Sequence, residues 1–176
     1  AHGTSHRYVS MAAAKYLGRD DLKMVTCHLG NGSSISAVKN GKCIDTSMGL
    51  TPLAGVLMGT RCGDVDPSVV TYMEQKLGFH GQEMADYLNK QSGLLGVSGV
   101  SSDKRDVTSA AEAGNERAKL ACDMLNYQIK KYVGAYAAAM GGLDCIVFTG
   151  GIGENDGGVR AAVCEDMEFL GVKIDL

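Results

Sequence analysis

Apolar and polar positions divide the chain into short segments of two kinds. Residues 5–17 put Val9, Ala12, Ala13 and Tyr16 on one helical face, with Thr4 or Ser5 as cap and Gly18 just past the end. Three brief runs containing Val, Ile and Thr follow at 24–27, 34–38 and Lys42–Thr46. The last two are separated by Asn40-Gly41, the strongest short-range hairpin signal. The pattern predicts a three-stranded antiparallel meander whose first turn is Gly30-Asn31-Gly32. Two glycines, an Asn and the following Ser33-Ser34 are more than a hairpin turn needs, and they predict a tip that something approaches closely.

Further on, Asp66-Pro67 opens a helix with an acidic cap and Pro at its first position, and Val69, Val70, Met73 and Leu77 form its stripe before Gly78. A companion helix spans 82–91 and is ended by Gly93. The longest helix covers 115–140, with Ala118, Ala121, Cys122, Leu125, Ile129, Val133, Tyr136, Ala137 and Met140 tracking one face until Gly141-Gly142. A buried strand at 145–148 leads into the glycine turn 150–155 and then a helix from about 159 to 167. Helix, strand, glycine turn and helix make an α/β unit with a ligand-sized turn at the strand's carboxyl end.

Composition narrows the function. A chain of 176 residues with 45% hydrophobic content is read as a single domain of a soluble globule. A net charge of -3 with no basic cluster disfavours nucleic acid and anionic membranes as partners. No apolar run approaches the ~18 residues of a membrane span, and a cytoplasmic location is expected. Six cysteines without a C-x-x-C pair read as thiols in a reducing compartment, with neither disulfides nor zinc. The 24 glycines, roughly twice the ~7% average usage, cluster at segment junctions.

Four stretches carry candidate chemistry. The turn 150–155 resembles a phosphate loop, because consecutive glycines let backbone amides face a ligand ahead of a helix; a tight packing turn accounts for the same residues. Arg61, among glycines in Gly59-Thr60-Arg61-Cys62-Gly63-Asp64, suits a phosphoryl or carboxylate clamp, or else a surface salt bridge to Asp64 or Asp66. His2 and His6 lie four apart across a helix start; no Glu stands between them as in a zinc protease motif, so one suits a hydrogen-bond donor to developing negative charge and the other a packing role. The charged stretch 101–106 reads, by itself, as a solvated loop capping the next helix.

In this order and at these separations, "HGTSH", "HLGNGSS", "GTRCGDVDP", "SSDKRDV" and "FTGGIGEN" resemble the acetate kinase family. The resemblance implies a ribonuclease H-like α/β fold of the actin-like ATPase and sugar kinase superfamily, and phosphate transfer between ATP and acetate to give acetyl phosphate and ADP. It implies that His28, Leu29, Gly30, Asn31 and Gly32 approach the nucleotide phosphates. Gly151, Ile152, Gly153, Glu154 and Asn155 would hold the adenosine part, with Asp103, Lys104 and Arg105 across from them. His2 and Arg61 would stabilise the phosphoryl group in flight. The match extends over the C-terminal part of a kinase about twice as long, so the chain is expected to be one nucleotide-binding domain, 1–176, without the N-terminal domain and the last segment. The family's catalytic Asp and its magnesium-binding Glu then have no counterpart here: Mg²⁺ is an implied cofactor and no metal ligand is assigned. Cys62 stands where Ser is usual, and Ala1 where Phe is usual. A homodimer is expected, with little or no turnover by the chain alone; a propionate or butyrate kinase fragment and a non-catalytic dimerisation module are the alternative readings.

Overall fold

The computed structural model describes residues 2–175. The Ala1 position therefore lies outside the described residues. Four strands form one sheet in the order β3-β2-β1-β4, with β1 Lys23–Leu29, β2 Ser33–Lys39, β3 Lys42–Thr46 and β4 Cys145–Thr149. β1–β2 and β2–β3 pair antiparallel, as the meander requires, and β4 joins β1 in parallel. The first two strands run longer than the apolar runs suggest. His28 and Leu29 belong to β1, paired with Ser34 and Ser33, so the tip is only Gly30-Asn31-Gly32.

Period-two alternation along β1 and β2 sorts side chains to two faces. Val25, Cys27 and Leu29, with Ile35 and Ala37, meet α6 (Glu116–Met140) and α8 (Gly157–Cys164) in the main core. α6 buries Ala118, Ala121, Leu125, Ile129, Val133, Tyr136, Ala137 and Met140, the predicted stripe apart from partly buried Cys122. Asn115 caps it by accepting from Ala118 N at 3.0 Å, and Gly141 ends it in the left-handed conformation.

The opposite face holds Met24 and Val38 with Leu22, a small cluster against Ala13 and Ala14 of α1 (Gly3–Leu17). Here the apolar-stripe reading of α1 fails. The residues it buries are His6 and Ser10, while Tyr16 is 90% exposed. Nor does Thr4 or Ser5 cap it: His2 is the N-cap residue, with φ 47° and no side-chain cap bond. α1 lies over Thr26 and Ser34, a polar patch in the sheet whose hydroxyls pair with His6, while Ser36 pairs with Thr46.

The helix α2 (Pro67–Leu77) is capped by Asp66 as expected, yet it buries no residue. α3 (Gln82–Lys90) ends at Gln91, and Gly93 opens a further helix, α4 (Gly93–Ser98). α4 and α5 (Lys104–Glu112) are additions to the predicted set, α5 opening just after the charged stretch's Asp103 cap. The glycine turn is itself the short helix α7 (Gly150–Asn155), and the helix expected at 159–167 is α8 followed by a 3₁₀ turn, Glu168–Leu170. All six cysteines are free; Cys27 and Cys164 are buried, whereas Cys43 is exposed. No helix among the described residues is long and apolar enough to cross a membrane.

Candidate functional site

The parallel pairing of β1 and β4 brings their carboxyl ends together, and a cavity of about 860 Å³ opens there. One wall is the hairpin tip, Gly30 and Asn31; a second is Gly151, Ile152 and Asn155 of α7; a third is Asp103, Lys104 and Arg105 at the start of α5. Three stretches separated by up to 120 residues of sequence thus line one space. The walls are held in place by specific features. Gly150 has φ +80°, and a Cβ there would lie 2.6 Å from Leu29 O, so only glycine lets α7 start against the end of β1. Asp103 caps α5, accepting from Arg105 N at 2.9 Å, and pairs with the Arg105 guanidinium at 2.6 Å. Hydrogen bonding to Arg105 holds the Asp103 carboxyl down at about 2.

Lys104 lines the cavity but its ammonium is engaged. It donates to Thr108 Oγ1 at 2.6 Å and meets Asp156 Oδ2 at 3.2 Å, and Lys104 is only 7% exposed. Asp156 in turn caps α8 by accepting from Val159 N. The pair is a strut in the cavity wall between α5 and α8. Ser102, from the charged stretch, also lines the cavity, as do Leu94, Thr108, Asp156 and Gly157, which were not singled out from sequence. Asp156, directly after the glycine-rich turn and four residues ahead of Arg160, is the one whose capping position could have been recognised; Leu94 sits on the unforeseen α4.

A second group lies beside the tip. An ideal Cβ on Gly32 would stand 3.2 Å from Arg61 Nη1 and 3.6 Å from His2 Nε2, so both side chains converge on bare backbone at residue 32. Arg61 makes no ion pair among the described residues. The salt-bridge alternatives are taken elsewhere: Asp64 accepts from Gly55 N and Tyr132 OH, and Asp66 caps α2. Arg61 Nη1 donates to Pro52 O at 3.2 Å and to Met58 Sδ at 3.6 Å. Its loop is fastened by Cys62 N to Leu88 O, Ser92 N to Thr60 O and Leu94 N to Met58 O. Gly93 has φ +65° and packs against Met58 O and the Arg61 backbone, where a Cβ has no room. Burial raises the Cys62 thiol.

Three imidazoles gather at this end. His2 stacks on His28 with centroids 4.0 Å apart, and His6 lies edge-on to both. Burial lowers all three from the usual histidine range, His6 to about 4; repulsion from His28 adds to the lowering of His2 and His6, while Glu154 partly offsets it at His28. His28 lies off the cavity, its Nδ1 taken by Ser5 Oγ at 2.8 Å. Leu29 is in the core and offers only backbone; Gly153 is buried against Phe148; Glu154 accepts from Thr149 Oγ1. Thus Gly30, Asn31, Asp103, Lys104, Arg105, Gly151, Ile152 and Asn155 share the cavity, His2, His28, Gly32 and Arg61 form its neighbouring end, and Leu29, Gly153 and Glu154 stand behind. Among the described residues no group of three or more His, Cys, Asp or Glu side chains is placed to hold a metal ion.

An antiparallel meander extended by a parallel strand, helices on both faces and a cavity at the strands' carboxyl ends define an α/β domain of the actin-like ATPase class. Within that class the relatives are specific: the Acetokinase family profile matches residues 1–176, and the chain belongs to that family. It is 60% identical over 177 residues to an acetate kinase of Phocaeicola vulgatus and 57% over 176 residues to one of Clostridium novyi, covering 99% of this chain and 44% of each of those proteins. Among solved structures, the acetate kinase of Porphyromonas gingivalis superposes with TM-score 0.97 at 56% identity, covering 99% of this chain and 44% of that one. A propionate kinase from Francisella tularensis superposes with TM-score 0.94 at 48% identity, covering 99% and 45%. The chain therefore spans less than half the length of the relatives it matches.

Proposed function

We propose that this chain is the nucleotide-binding part of an acetate kinase, holding ADP or ATP in the cavity while phosphate passes to or from acetate. The observation that carries the reading is Arg61: a guanidinium with no carboxylate partner among the described residues, converging with His2 on the bare backbone of Gly32 next to a nucleotide-sized cavity. Such an arrangement suits an anion, because planar N–H donors and glycine amides stabilise phosphoryl oxygens whose charge grows in the transition state. The tip Gly30-Asn31-Gly32 would meet the phosphates, and the walls from α5 and α7 the nucleoside. Lys104 supports the wall through Asp156 and does not reach the nucleotide.

Among the described residues no group of three or more His, Cys, Asp or Glu side chains is placed to hold a metal ion, so no residue of this chain is assigned to Mg²⁺ and no step is routed through it. The acyl substrate is read as acetate, with propionate as the second reading because a propionate kinase superposes nearly as well. The chain is read as one domain, in a cytoplasmic homodimer paired through the outer face of α6, where Leu120 and Tyr127 are more than half exposed.

The test is calorimetric titration with ADP, then hydroxamate trapping of acetyl phosphate by the chain alone and by the chain mixed with the separately expressed N-terminal portion of an acetate kinase. Weak ADP binding and turnover only in the mixture are expected. Failure to bind ADP at millimolar concentration would overturn the reading, as would full turnover by the chain alone that Arg61→Ala abolishes.

A further inference from the structure

The polar layer between α1 and the sheet contains a continuous line of hydrogen bonds ending at His2. Thr26 Oγ1 lies 2.7 Å from His6 Nδ1; His6 Nε2 lies 2.7 Å from Ser34 Oγ; Ser34 Oγ lies 2.8 Å from His2 Nδ1. Thr26, His6 and Ser34 are all buried. A burial this complete is costly for polar groups unless each is satisfied, so every hydrogen in the line has a defined place.

With each ring neutral and one hydrogen per hydroxyl, the line runs in one of two senses, and the Arg61 end selects between them. His2 Nε2 stands 3.6 Å from the Cβ position of Gly32, beside Arg61 Nη1, and toward an anion held there a neutral ring serves as an N–H donor. His2 Nδ1 is then the acceptor and takes the Ser34 hydrogen; Ser34 in turn accepts from His6 Nε2–H. His6 Nδ1 accepts from the Thr26 hydroxyl at 2.7 Å, and the other contact of that hydroxyl, Ser36 O, is longer at 3.4 Å. Every donor points the same way, from the buried Thr26 toward the site. The groups facing this line are His28, stacked on the His2 ring, Glu154 near His28, and Arg61; the other imidazole and the guanidinium both oppose a positive charge on His2.

We propose that Thr26, His6 and Ser34 are positioning residues that hold His2 in its Nε2–H tautomer as a hydrogen-bond donor into the anion-binding end of the site. The proposal rests on the reading of that end as the phosphate site, and it adds what keeps His2 a donor there without a charge. His6 serves it through the ring's two nitrogens and touches no substrate.

The experiment uses the 176-residue chain with ¹⁵N-labelled histidine and long-range proton–nitrogen spectra at neutral pH. Exposed His80 is the internal reference. His2 and His6 are both expected as single Nε2–H tautomers. Thr26→Val removes the first donor and keeps the shape, and is expected to move the nitrogen shifts of His2, a ring Thr26 does not touch; Thr26→Ser is expected to restore them. An Nδ1–H tautomer at either ring in the unsubstituted chain overturns the proposal, and that spectrum decides it even where Thr26→Val does not fold. Unchanged His2 shifts in a folded Thr26→Val chain overturn it as well. Adding ADP separates the two readings: Nε2–H rings that do not respond to ADP support the relay and sink the phosphate reading, and Nδ1–H rings that do respond sink the relay alone.

Discussion

Tyr132 on α6 donates its hydroxyl hydrogen to Asp64 Oδ2, and Asp64 Oδ1 accepts from Gly55 N at 2.8 Å. One carboxylate thus ties the long helix to both ends of the loop that carries Arg61. A hydrogen bond to a charged group contributes more than a neutral one, and Tyr132→Phe is expected to lower unfolding free energy by about 1.5 kcal/mol, read from urea denaturation. ADP affinity of Tyr132→Phe is expected to fall as well, because the Arg61 loop is anchored there. Desolvation and the Asp64 contact raise the Tyr132 hydroxyl above the usual tyrosine range. The folded state therefore holds this proton more tightly: the contribution is complete below pH about 10 and is lost as pH rises further. An alkaline limb that is equally steep in Tyr132→Phe would refute the assignment.

His6 gives stability a dependence on acid. Burial, then repulsion from His28 and His2, lowers it from 6.5 to about 4. The unfolded chain binds the proton more readily, so the stabilising contribution is present above pH 6.5 and is lost as pH falls toward 4. The shift corresponds to something on the order of 3 kcal/mol, with His2 and His28 shifted in the same direction. Urea midpoints between those pH values are expected to drop steeply in the unsubstituted chain and to flatten in His6→Gln, which keeps a polar side chain without a titration. An equal slope in both would show that His6 is not the responsible group.

The contrast between α6 and α1 explains how far the sequence could be read. α6 packs an apolar face on an apolar face, so its period of 3.6 names its buried residues almost completely. α1 packs on Thr26 and Ser34, and its buried positions are His6 and Ser10, with Ala13 and Ala14 partly buried; an apolar stripe search selects Tyr16, which points to solvent. Polar-on-polar burial leaves no periodic signal in one segment because the complement lies on strands tens of residues away. The site was legible as motifs: Gly30 and Asn31, Asp103 to Arg105 and Gly151 to Asn155 were all marked. Their grouping came from the family resemblance, because the parallel pairing of β1 with β4 joins segments that local patterns treat separately. Lys104, which the resemblance places across from the adenosine part, has its ammonium engaged by Thr108 and Asp156, and its proposed role as a strut rests on those contacts.

That assignment has its own test. Asp156→Ala removes both the α8 cap and the partner of a buried ammonium, and is expected to cost about 3 kcal/mol. Lys104→Met keeps the cap and fills the same space with an apolar stem; it is expected to cost under about 1 kcal/mol, because replacing a buried ion is far cheaper than orphaning it. ADP affinity of Lys104→Met should change less than threefold, roughly 0.6 kcal/mol. A loss of a hundredfold in Lys104→Met with unchanged stability would place the ammonium on the nucleotide after all.

Gly59 provides the sharpest probe of the hairpin tip. Its amide donates to Asn31 O at 3.0 Å, and its missing side chain leaves the space that Asn31 Oδ1 occupies. An added Cβ would overlap the Asn31 carboxamide and stand 3.0 Å from Ser102 O. Asn31 is exposed and lines the cavity, so it can yield by swinging away, at a stability cost under about 1 kcal/mol, typical of a surface adjustment. The swing takes its amide donor from the place assigned to the phosphates and pushes the tip from its seat. Gly59→Ala is therefore expected to weaken ADP binding about tenfold, equivalent to about 1.4 kcal/mol, with little change in urea midpoint. Gly134→Ala is the control: it lies on α6 with nothing within 4 Å of its Cβ position, and is expected to stabilise the chain by up to about 1 kcal/mol with ADP affinity unchanged. If Gly59→Ala binds ADP as tightly as the control, the tip does not meet the phosphates and the nucleotide lies farther toward α5 and α7.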